Sequence, residues 1–177
     1  MILGLDISTS ITGYTLLDSD GQVVEIGHID LRKTRNFFEK ARVVEDKLND
    51  ITAFTTLDAV YIEQSLHTFR TGRSSAQTLS LLSKFNGVVS WMCYNLFALE
   101  PQFLAATSAR KLCGIKVPKG RKGKEVVFEF VLDTEPAFDV EYTKFGNPRP
   151  GYGDRADSYI IAKAGFVNES QKTQDIN

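Results

Sequence analysis

Hydrophobic positions in the first third of the chain alternate with period two and then change period. Ile2, Leu3 and Leu5 form a short run of strand formers that ends on Asp6, and Ser8-Thr9-Ser10 with Gly13 makes a hairpin connection into a second strand, Tyr14 to Leu17. Asp18-Ser19-Asp20-Gly21 is a turn, and a third strand follows from Gln22 to Leu31. From residue 35 to 51 the period becomes helical. Phe37, Ala41, Val44, Leu48 and Ile51 share one face, and most of the charges lie elsewhere. Leu57 to Gln64 is apolar up to Glu63, the pattern of a central strand. A polar loop, Ser65 to Ser75, leads to a long helix from about Ala76 to Ala98 that is apolar on more than one face. Gln102 to Ala106 is a fifth strand, and Thr107-Ser108 can cap a short helix ending near Gly114. A helix over Glu125 to Leu132, a Pro- and Gly-bearing irregular stretch from Asp133 to Tyr152, and a closing helix from Gly153 to Phe166 complete the chain. Two early hairpins followed by strand–helix alternation predict an α/β fold. Its mixed sheet has five strands, the first three an antiparallel meander and the last two parallel to strand one, with helices on both faces. Residues 1–166 are expected to form one domain and 167–177 a flexible polar tail.

Composition narrows the function. The 177 residues are 42% hydrophobic and 24% charged, enough for a core without disulfides or metal to hold the fold. Cys93 and Cys113 lack CxxC spacing, and His28 and His67 lie far apart, which disfavours a zinc site or a Cys/His nucleophile. Without a secretory leader pattern or a membrane-length apolar run, the expectation is a soluble cytoplasmic protein. The net charge of −1 gives no global sign of nucleic-acid binding, so that case rests on where the charges fall.

The candidate chemistry lies in four carboxylates. Asp6 and Glu63 each end an apolar strand, and Asp154 and Asp157 are three apart on one face of the last helix near its positive end. Taken singly each has a bland explanation, since Asp opens turns and acids favour first helical turns. Taken together they are four converging acids that repel one another unless a cation is present. An all-oxygen set points to Mg²⁺, with Mn²⁺ able to substitute, and two such ions about 3.5–4 Å apart suit phosphodiester hydrolysis. The stretch from Arg110 through Lys111, Lys116, Lys119, Arg121, Lys122 and Lys124 holds no acid, and Gly120 and Gly123 open its backbone to phosphates. The plainer explanation of such a run is a solvated loop. His67, Phe69, Arg70 and Arg73, after Glu63, mix aromatic and cationic groups that can stack on an unpaired base.

These residues resemble the RuvC family of Holliday-junction resolvases in the RNase H-like superfamily. The likeness runs from ILGLDISTSITGY through VYIEQ and SARKLCG…GRKGKE to GDRADSYIIA. It implies an RNase H-like fold and metal-dependent DNA cleavage at Asp6, Glu63, Asp154 and Asp157. It also implies a basic element at Lys111 and Lys116 to Lys124. The family's junction-wedging aromatic would fall at Phe69 or Leu66, in a loop longer than in bacterial members. Divergence outside the motifs resembles a phage-type member, acting in a host cytoplasm. A homodimer is expected on two grounds. A four-way junction has approximate two-fold symmetry, and the helix carrying Trp91, Met92, Tyr94 and Phe97 is too apolar for one sheet to cover. Two other readings fit parts of the chain. The opening hairpin also resembles that of actin-like and sugar-kinase ATPases, which need a second such domain, and a catalytically silent nucleic-acid or partner-binding module is possible on the same fold.

Overall fold

The computed structural model describes residues 1–53, 55–64 and 76–176. Its elements are β1 (Ile2–Asp6), β2 (Ile11–Leu17), β3 (Val23–Asp30), α1 (Phe37–Thr52), β4 (Ala59–Glu63), α2 (Ala76–Phe97), β5 (Gln102–Leu104), α3 (Ala106–Leu112), α4 (Gly123–Thr134) and α5 (Tyr152–Ile176). The strands form one sheet in the order β3-β2-β1-β4-β5. The first three are antiparallel, and β4 and β5 run parallel to β1, as the pattern predicts.

Strand alternation builds two cores. Leu3 and Leu5 of β1 with Val60 and Ile62 of β4 face α1 and α2, where Val44, Leu48, Phe85 and Val89 meet them. Ile2, Ala59 and Tyr61 face the opposite way, onto Ala109, Val127, Val131, Ile160 and Ile161 of α3, α4 and α5. With both faces covered, β1 and β4 are continuous apolar runs, and only their last residues, Asp6 and Glu63, are carboxylates.

Helix α5 presses closest to the sheet, and glycine permits it. A Cβ at Gly4 would strike the backbone of Ala162, and one at Gly13 would strike the carbonyl of Asp154. The buried hydroxyls of Thr15 and Ser158 meet at 2.9 Å and fix the rotation of α5 over β2.

Three expectations are corrected. Helix α5 does not stop at Phe166, because Glu169 accepts hydrogen bonds from Tyr61 Oη at 2.6 Å and from Gln102 Nε2 at 3.1 Å, which ties the polar extension to β4 and β5. Thr107 and Ser108 lie inside α3 rather than capping it, and Ala105 is the N-cap without a side-chain bond. On α2, Met92 is buried in the core and Phe97 packs against it, so the outward apolar side chains are Leu81, Trp91 (67% exposed) and Tyr94.

Candidate metal centre

Parallel pairing of β1 with β4 matches Leu5 to Ile62, so the next residues, Asp6 and Glu63, leave the same edge of the sheet side by side. Helix α5 adds Asp157 from above. Carboxylate oxygens of Asp6, Glu63 and Asp157 all lie within 4.8 Å of one another. Asp154 does not join this trio. It begins α5 one turn earlier, where its backbone rests on Gly13, and among the charges acting on it is that of His28 on β3. Three of the four acids thus meet, and the fourth stands beside them.

Mutual repulsion has a visible effect. Burial, then the charges of Glu63 and Asp157, hold the Asp6 carboxyl well above the usual carboxylate range. Burial and the charge of Asp157 raise Glu63 to about 7, against the pull of Lys124 and Arg110. Burial raises Asp154 as well, with Lys124 opposing. The donors are all hard oxygens, and burial with mutual repulsion raises Asp6 and Glu63 despite the charge of Lys124 nearby. A set of this kind could hold a metal ion, and its all-oxygen donors fit a hard divalent cation.

The turn between β1 and β2 is built for structure. Ser8 Oγ accepts from the Ile11 amide at 3.0 Å and donates to the Ile11 carbonyl at 2.8 Å, and Thr12 Oγ1 donates to the Ser8 carbonyl at 3.1 Å. The Ser8 and Thr12 hydroxyls are thus engaged by the turn's own backbone.

No protein-family model and no curated protein sequence matches the chain. Solved structures do. Thermus thermophilus RuvC in complex with a Holliday junction substrate superposes with a TM-score of 0.67 at 12% identity, over 97% of this chain and 96% of that one. A second structure of the same protein gives 0.64 at 14% identity, over 97% and 96%. The yeast mitochondrial Holliday junction resolvase Ydc2 gives 0.63 at 14% identity, over 98% of this chain and 80% of that one. The chain has the RuvC fold. The RNase H-like expectation holds over nearly the whole length, and at these identities the likeness is one of architecture.

Within the RuvC fold the basic stretch divides in two. Lys111, Lys116 and Lys119 are exposed and form no ion pair among the described residues. Arg121 is bound bidentately by Glu129, at 2.9 and 2.6 Å, and Lys122 pairs with Glu125 at 3.1 Å, so acids one and two turns into α4 supply the compensation that the local sequence lacks. Lys124 has an exposed stem, but its ammonium reaches back to the carboxylates, its Nζ 2.8 Å from Asp157 Oδ2. Burial works against its charge, but Asp157, Asp6 and Glu63 outweigh that and hold the ammonium above its ordinary range. Arg110 also adjoins the site. Its guanidinium occupies the space a Cβ would take at Gly123, and it lines a small recess with Glu63 and Asp157. The charge run makes both residues visible in the sequence, but only the packing of α3 and α4 on α5 brings their charged ends beside the acids. Phe69, Arg70 and Arg73, with Leu66 and His67, lie outside the described residues.

Proposed function

We propose that the protein is a divalent-metal-dependent endonuclease that cleaves Holliday junctions or other branched DNA. One observation carries this reading: the carboxylates of Asp6, Glu63 and Asp157 stand within 4.8 Å of one another at the strand ends of a RuvC fold. Asp6, Glu63 and Asp157 would hold Mg²⁺, and Asp154 would complete a second ion position beside them. When bound, such ions would supply an activated water and charge stabilisation for phosphodiester hydrolysis. The chain's own contribution is positional. Strands β1 and β4 fix Asp6 and Glu63 on rigid backbone, and the Thr15–Ser158 bond fixes the face of α5 that presents Asp157. Lys124 and Arg110 temper the negative charge so that the acids ionise when a cation arrives.

Lys111, Lys116 and Lys119 contact backbone phosphates, with Phe69, Arg70 and Arg73 supplying further DNA contacts from the loop after Glu63. Two chains act together through the outward face of α2, giving one cut on each of two symmetry-related strands in the cytoplasm. No helix among the described residues is long and apolar enough to cross a membrane. The test is a Mg²⁺-dependent cleavage panel of four-way, three-way, flap and linear duplex DNA, labelled on each strand in turn. Cutting of the branched substrates over the linear duplex is expected, and binding without any cutting would favour a catalytically silent module.

A further inference from the structure

Residues 135–151 join α4 to α5, and long connections of this kind are usually functional. The middle of this one folds back on itself. Tyr142 and Pro148 form an antiparallel bridge, the Thr143 amide donates to the Asn147 carbonyl at 2.8 Å, the Arg149 amide donates to the Glu141 carbonyl at 2.8 Å, and Gly146 turns the tip at φ 77°. Its base is pinned on both sides. Arg149 pairs with Glu141 at 3.4 Å, and Arg155 of α5 reaches Asp139 at 3.4 Å with its guanidinium 5.0 Å from the centre of the Phe138 ring.

So ordered a turn has the means to tuck its apolar side chains away, yet it presents them. Phe145 at the tip is 79% exposed and Tyr142 is 50% exposed. Lys144 Nζ lies 4.9 Å from the Phe145 ring centre, and no acid occurs from Tyr142 to Arg149. An exposed aromatic ring with a lysine beside it matches a nucleotide, which offers a π-face and a phosphate together. A protein partner would not require that pairing.

The base of the turn also lies near the start of α5. Glu141 and Arg149 at its base share a cavity of about 310 Å³ with His28 and Arg32 of the sheet side, and the charges of both His28 and Arg32 interact with Asp154. Below the turn, Gly151 at φ 98° packs against the His28 ring where no Cβ fits, and the chain then enters α5 and Asp154.

We propose that the turn from Tyr142 to Arg149 is a base-stacking finger. On branched DNA, Phe145 stacks on an unpaired base at the branch point while Lys144 holds the adjoining phosphate. This rests on the branched-DNA nuclease reading and adds to it a contact separate from the loop after Glu63. It is tested in the full chain carrying Asp6→Asn, in Mg²⁺, with four-way junctions bearing 2-aminopurine at each branch-point position in turn. Binding should raise the fluorescence at one position. Phe145→Ala should remove most of that rise and weaken junction affinity roughly tenfold, while leaving linear-duplex affinity unchanged, and Phe145→Trp should restore both. If Phe145→Ala matches its parent while the parent binds junctions and the wild-type chain cuts them, the finger is overturned and the nuclease reading stands. If the wild-type chain neither binds nor cuts branched DNA, both fall.

Discussion

A carboxyl that titrates near 7 in the folded chain and near 4.5 when free binds more protons folded than unfolded between those values. Glu63 therefore stabilises the metal-free fold fully below about pH 4.5, and that contribution is lost as the pH rises through about 7. Asp6, raised for the same reasons, acts in the same direction. In chelator, the melting temperature should fall between about pH 5 and pH 8 by roughly 5 °C or more, and Glu63→Gln should flatten the fall and melt higher at the alkaline end. Mg²⁺ should restore the wild type most at the alkaline end, because it replaces the protons. Calorimetry across that range checks the claim, and a wild-type curve rising with pH in chelator would count against it. Asp154 makes a separate forecast, since it stands outside the trio. Asp154→Asn should slow cleavage while keeping a Mg²⁺-induced rise in melting temperature, whereas Asp157→Asn should lose most of both.

Among the elements, α5 decides whether the acids meet. Gly13→Ala should push the start of this helix off β2, costing about 1–3 kcal/mol of stability and lowering cleavage through displaced Asp154 and Asp157. Urea titration and turnover should shift together, and an unaltered site would mean that the helix contact is dispensable. Tyr61→Phe removes the bond to Glu169 beneath the far end of α5, and should cost about 1 kcal/mol without changing cleavage. The strands were legible because Leu3, Leu5, Val60 and Ile62 alternate with residues of the other face, and because Asp6 and Glu63 interrupt apolar runs at the same edge. The end of α5 was not legible, since its polar residues look frayed until Tyr61 and Gln102 are placed beneath Glu169. Nor could spacing separate Lys124 from its basic neighbours. Only the packing of α4 on α5 sets its ammonium against Asp157 while Lys122 turns to Glu125. The stretch before α5 lacks any period, so the bridge between Tyr142 and Pro148 left no signal beyond its glycines and prolines.

At the scale of the whole molecule, the face of α2 bearing Leu81, Trp91 and Tyr94 has no cover among the described residues of its own chain. On the proposed reading a second copy would seat there, making an isologous pair with one carboxylate cluster per chain to match the two-fold symmetry of a four-way junction. Trp91→Arg should therefore yield monomers in sedimentation at micromolar protein, and should turn paired nicks into single, slow ones. A wild-type chain that sediments as a monomer and still cuts symmetrically would remove the dimer from the account. The most direct test of the central claim is cleavage of an end-labelled four-way junction in Mg²⁺ by the wild type and by Asp6→Asn side by side. Symmetric nicks by the wild type that vanish with chelator are expected. Asp6→Asn should bind the junction but cut it more slowly by over about a hundredfold, beyond the roughly 10–100-fold cost of losing a group that only orients a ligand. Undiminished cutting by Asp6→Asn, or no cutting by the wild type in either Mg²⁺ or Mn²⁺, would contradict the claim.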